Sequence, residues 1–337
     1  MHRTCYAVVF VTLGAIPTSA ADSNPPAAKK VMIARSSKTP ADVAKAIKEQ
    51  TGIDIDITGV DPKPISINFQ NLDFWIAVEQ LAKETGCRVV ISNEGRISLR
   101  PSKEPVPSHV NGPFRFSPRG VFIRGDVAEA ASHYTISIDL AWEPWLNTYR
   151  VDTYPKIDSV IDDTEKKFSV SGGSDRSFAV GNWKELTVRP QGVTRATKSL
   201  TIKGSVMITI ADKLLTFSFD PTNGKPIGQA IQDGVSVKLT QHGAEGNDWF
   251  ATVQLNYPKS DVVWQSFEYA WHRNNVMRLL PPNGEPIVAD IVESADMRYG
   301  FKNRAKQIGK DWKLDYRTPG PMREIVVPFE IKDVRLP

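Results

Sequence analysis

The sequence predicts an α+β module followed by two all-β domains of sandwich, Ig-like type. Three observations carry this expectation. Both segments with helical periodicity fall before residue 87, and a proline-rich stretch closes that region at 102–112. Beyond it, strand-like alternation and turn clusters run to Pro337 with no helix of convincing length. The expected layout is a signal peptide at 1–20, a tether at 21–29 and the module at 30–101. A linker at 102–112, a sandwich at 113–220, a turn at 221–227 and a second sandwich at 228–337 follow.

In order along the chain, "MHRTCYAVVFVTLGAIPTSA" has Arg3 in a short n-region, an apolar run from Ala7 to Ile16, and a small-residue site at Ala20 or Ala21. That run is too short to span a bilayer, and no later segment reaches the roughly 18 apolar residues a membrane helix needs. Export past the cytoplasmic membrane is therefore the expected localisation, with no transmembrane segment in the mature chain. Removing 1–20 lowers the formal net charge from +4 to +3, scattered along the chain, so nucleic acid is not an expected partner. Cys87 is then the one cysteine left, which excludes an intramolecular disulfide and suggests a small buried hydrophobe.

"KVMIARS" starts the module as a strand. Thr39 caps a helix whose first residue is Pro40 and which Gly52 closes, with Val43, Ala46, Ile47 and Gln50 along one side. "IDIDIT" alternates as a strand, "PISINF" forms another, and Phe74, Val78, Leu81, Ala82 and Thr85 mark a second helix ended by Gly86. "RVVIS", the turn "NEG" and "RISLRP" complete a hairpin.

The stretch "ISINFQNLDFWIAVEQLAKETGCRVVISNEGRISLRP" resembles the short N-terminal module of secretins and TonB-dependent receptors. Leu72, Ala77, Val78, Leu81, Ala82, Thr85, Gly86, Val89, Gly95, Ile97, Leu99 and Pro101 carry the resemblance, while Val78 replaces the usual Leu and the Phe74-Trp75 pair is atypical. The resemblance implies a bacterial envelope setting and a module that works by contacting other proteins. It covers about seventy residues, and neither a secretin ring domain nor a receptor barrel follows.

In the second half, "GVFIRGDVAEAASHYTISIDLAWEP" (120–144) parallels "GVSVKLTQHGAEGNDWFATVQLNYP" (234–258). Tyr134, Ile136, Ile138, Leu140 and Trp142 share one face, as do Trp249, Ala251, Val253, Leu255 and Tyr257. "LTVRPQGVTR" (186–195) further matches "LDYRTPGPMR" (314–323), so a tandem repeat is expected, with chance alternation as the competing explanation.

The search for chemistry assigns no catalytic, cofactor-binding or metal residue. His109, His133, His242 and His272 lack partners at metal-ligand spacing, and no nucleophile, zinc or phosphate-loop motif is present. Asp54 and Asp56 fit a solvated strand face. Asp162, Asp163 and Glu165 fit an exposed turn better than a calcium loop. "SGGSDRS" (171–177) is a loop. The expected function is non-enzymatic docking of envelope proteins through the module and sheet edges. The alternative is a polysaccharide-binding protein stacking sugars on Trp145 and Trp264, and a third reading is an enzyme whose site is assembled from distant loops.

Overall fold

Thr39 accepts a hydrogen bond from the Asp42 N–H, Pro40 opens the helix and Gly52 ends it with φ of 76°, so α1 (Pro40–Thr51) obeys its local signals at both ends. The structure is a computed structural model describing residues 25–126, 131–179, 181–221, 229–258, 275–293, 297–304, 308–309 and 311–337. The expected leader, Trp264, His272 and nearly all of the 221–227 turn lie outside the described residues. Strands dominate the fold, with two short helices among the described residues, and no helix there is long and apolar enough to cross a membrane.

The first unit runs β1 (Lys30–Lys38), α1, β2 (Ile55–Asp56), β3 (Ile65–Asp73), α2 (Phe74–Glu84), β4 (Cys87–Ile91), β5 (Ile97–Pro101). β1 and β3 pair antiparallel, and a second sheet has the order β2-β5-β4. The inward faces of both helices join Val31, Phe69 and Leu99 in one core. The expected strand at "IDIDIT" shrinks to two residues because the Asp56 carboxylate accepts from the Thr58 N–H and turns the chain. Gln50, an oddity on the apolar side of α1, has a clear task. Its side-chain amide donates to the Met32 carbonyl and accepts from the Met32 N–H, closing the outer edge of β1.

Next come β6 (His109–Asn111), β7 (Phe114–Asp126), β8 (Ala131–Trp142), β9 (Asn147–Asp152), β10 (Lys156–Asp162), β11 (Lys167–Phe168), β12 (Arg176–Phe178), β13 (Trp183–Val188) and β14 (Ser199–Ala211). The alternation from Tyr134 to Trp142 is realised, with all five predicted residues buried. One sheet has the order β13-β8-β7-β6, and β14 centres the facing sheet.

The chain continues through β15 (Leu214–Phe219), β16 (Gln229–Gln232), β17 (Val235–Glu245), β18 (Asp248–Asn256), β19 (Val276–Leu280), β20 (Ile287–Val288), β21 (Ile291–Glu293), β22 (Arg298–Phe301) and β23 (Lys313–Pro319) to β24 (Met322–Arg335). β24 is the main departure from expectation. Residues 322–335 fall in the expected second sandwich, 228–337, yet β24 pairs with β14 along its whole length and buries Ile325, Val327, Phe329 and Ile331 in the first sandwich-like core. The register runs on without a break: Ala211 faces Met322, the Gly320 N–H donates to Lys213 O at 2.9 Å, and Leu214 faces Pro319. One two-stranded ribbon thus threads both β regions, and β15–β23 form an excursion between β14 and β24. The 186–195 and 314–323 match loses its structural support, because β13 pairs with β8 whereas β23 pairs with β15 and β19 in the sheet facing β17 and β18.

The proline-rich stretch does not leave the first unit free. Trp75 donates its ring N–H to Pro113 O at 3.0 Å, Arg115 pairs with Glu79, and Arg119 reaches Asn93 at 3.3 Å. Ala141 and Trp183 pack into the core of the first unit. Gly95 serves the same joint. Its φ of 78° and the Asn182 side chain, which would lie 1.7 Å from an added Cβ, leave room for glycine alone. Residues 109–111 of the expected linker are strand β6, ended by a turn at Gly112. Exposed Lys103 remains a cleavage point. Trypsin is expected to nick there first, with both fragments still co-eluting on native gel filtration. Separate elution would contradict the joint.

Candidate docking cleft

Hydrogen-bond parity identifies which backbone groups of β4 face outward. The Ser102 N–H donates to Gly86 O and the Ser92 N–H to Arg96 O, so Gly86, Arg88, Val90 and Ser92 face β5. Cys87, Val89 and Ile91 therefore turn their N–H and C=O groups to the other edge, where no strand is paired among the described residues. Two other edges are blocked: Gln50 covers Met32 on β1, and Pro328 lacks an N–H on β24 while its carbonyl accepts from the Asn111 side chain at 3.0 Å.

The open part of β4 borders a cleft of about 670 Å³. One wall is the outer face of α2, where Ile76, Glu79, Gln80 and Lys83 recur at helical spacing. Residues 102–106 form another wall, and Arg115 closes the end against β7. Burying the Arg115 guanidinium requires a partner, and Glu79 and Ser117 both accept from it. Glu104 is held by Arg335. Both cleft carboxylates are thus engaged, whereas Lys83, Arg88 and Lys103 have no acidic group within salt-bridge distance among the described residues. An apolar residue, Ile76, is 43% exposed on the same wall. The cleft combines a strand template, positive charge and some apolar surface. Cys87 lines it half-buried, against the expectation of a buried hydrophobe, and its thiol lies 3.5 Å from Thr85 O.

The predicted residues lie elsewhere. Trp145 is 36% exposed and donates its ring N–H to Glu143 Oε2 at 2.5 Å. The buried Glu143 carboxylate also accepts from the Lys29 N–H at 3.0 Å, so this cluster pins the tether to the β8–β9 turn. Burial pushes the Glu143 carboxyl above its ordinary range, opposed by these hydrogen bonds. His109, His133 and His242 sit on β6, β8 and β17 and are not brought together. Burial lowers the His109 pKa, with Glu330 opposing. Asp162 accepts from Thr164 and Lys166 and holds its own turn, while Asp54 and Asp56 meet Lys48 and Arg100. The cleft itself escaped the sequence reading. The i, i+3, i+4, i+7 row on α2 was visible, but the open edge depends on which strand flanks β4. No protein-family model matches the chain, and no curated protein or solved structure matches it.

Proposed function

We propose that this is an exported, non-enzymatic docking protein of the bacterial cell envelope, and that a partner adds an acidic extended strand to β4. The observation that carries the reading is the unpaired edge of Cys87 and Val89 inside a cleft with three unneutralised cations. Backbone pairing supplies affinity in such complexes, and charge selects and steers the partner. The resemblance to the secretin and TonB-receptor module supports a protein partner by analogy. The leader pattern in residues 1–20 supports export.

The test is titration with synthetic peptides in which valine alternates with aspartate or glutamate. Binding should weaken as salt rises and be absent for the lysine-containing counterpart. Val89→Pro removes an outward N–H without touching the β4–β5 ladder and should abolish binding. The double change Lys83→Glu, Arg88→Glu, on exposed positions, should weaken it about tenfold. Trp145→Ala should leave it unchanged. Equal binding of acidic and basic peptides, or full affinity in both cleft variants, would overturn the proposal.

A further inference from the structure

β7 carries an open edge of its own. The Glu143 N–H donates to Pro113 O and the Trp142 N–H to Asn182 O, so odd residues of β8 face β7 and even ones face β13. After the register shift between Pro118 and Gly120, the odd residues Ser137, Thr135 and His133 lie opposite Gly120, Phe122 and Arg124. Those three β7 residues therefore bond to β8, while Val121, Ile123 and Gly125 turn their N–H and C=O groups the other way. β6 covers that side only at Phe114–Phe116. No strand or backbone group among the described residues pairs there with 121, 123 or 125. Pro118, which has no N–H, bounds the open stretch.

The residues along this edge lack an explanation within one chain. Phe122 is 63% exposed, and Ile123, opposite buried Tyr134 on the core-facing side, is still 40% exposed. Arg124 is exposed, with no acidic group in salt-bridge distance among the described residues. Gly125 has no positive φ, and an added Cβ would meet no described atom within 4 Å. A glycine of that kind inside a strand often marks the close approach of another backbone.

Antiparallel pairing of β7 with β7 of a second copy, about a twofold axis at Ile123, accounts for all four. Ile123 then lies against its own copy, and Val121 lies opposite Gly125, so every outward backbone group of the stretch is used. Glycine keeps the approach to Val121 clear, where Leu336 and Pro337 line the same cavity. Phe122 faces Arg124 of the other copy as a non-hydrogen-bonded pair, with Cα atoms about 4.5 Å apart, close enough for the guanidinium to cover the ring. Other registers fit worse. An axis at Arg124 opposes two guanidinium groups, and an axis at Phe122 sets Gly125 against Arg119 at the irregular step. We infer that the chain forms a twofold dimer through β7, joining two sheets into one. The dimer does not rest on the β4 cleft.

Sedimentation equilibrium of the full chain from about 10 to 500 µM tests this, because one strand pair is smaller than the roughly 1,200–2,000 Å² of a stable complex. A reversible monomer–dimer equilibrium is expected. Ile123→Pro removes an outward N–H without touching the β7–β8 ladder and should abolish it. Phe122→Lys sets lysine against Arg124 and should weaken the dimer at least about tenfold. Phe122→Glu sets a carboxylate there and should hold affinity within about threefold. Val89→Pro should leave the dimer intact. In the wild-type chain, amide exchange at Val121 and Ile123 should slow as concentration rises, a readout that needs no variant to fold. A monomer throughout the range, open-ended oligomers, or equal loss in both Phe122 variants would sink the inference.

Discussion

Ile138→Asp is expected to unfold the first sandwich-like region at room temperature. Ile138 is fully buried, faces Pro118 and Leu186 across its two neighbouring strands, and belongs to the core shared by both sheets. Deleting a buried aliphatic side chain costs about 2–5 kcal/mol. Burying a carboxylate with no partner adds several more, or forces it to stay protonated. The sum rivals the total stability of a domain, about 5–15 kcal/mol. The effect should reach β24, which shares this core although β15–β23 separate it from β14 in sequence. Thr135→Asp, on the partly exposed opposite face, should change the melting temperature little. Ser137→Asp should not be so mild, because Ser137 is buried and donates to the Glu185 carboxylate, which a second carboxylate would repel. Equal melting temperatures for the Ile138 and Thr135 variants would refute the register.

Trp75→Ala is the second large effect. The indole is wholly buried, contacts Phe74 edge-on and donates to Pro113 O, so it joins the α2 core to the start of β7. Truncating a buried tryptophan costs about 3–5 kcal/mol. The loss should fall on the first unit and its attachment, splitting a single thermal transition into two. Trp75→Phe keeps most of the ring and loses the hydrogen bond, and should cost about 1 kcal/mol with the single transition preserved. A single transition at unchanged temperature for Trp75→Ala, followed by calorimetry, would show that the joint contributes nothing.

Local signals made much of the fold legible. Thr39, Pro40 and Gly52 bound α1 because caps act within one turn, and the period-2 pattern of β8 fixed its buried face. Three features could not be read this way. The apolar alternation of β24 says that one face is buried but not against which sheet, so its return to β14 across the whole β15–β23 excursion left no local trace. Ser137 and Asp139 occupy positions that alternation assigns to solvent, yet Ser137 is buried and donates to Glu185, and Asp139 accepts from Trp183 and Arg119 of the neighbouring strands. The candidate site is a gap in pairing at Val89, and a gap is a property of neighbours rather than of residue type. The predicted tryptophan was visible because of what it is; Trp145 instead holds Glu143.

Amide hydrogen exchange along β4, with and without an acidic valine-alternating peptide, tests strand addition most directly. Cys87 and Val89 turn outward and Arg88 and Val90 already bond to β5. Bound peptide should therefore slow exchange at Cys87 and Val89 while Arg88 and Val90 stay as protected as before. Unchanged exchange at Val89 in the saturated complex, or equal slowing at all four residues, would contradict it.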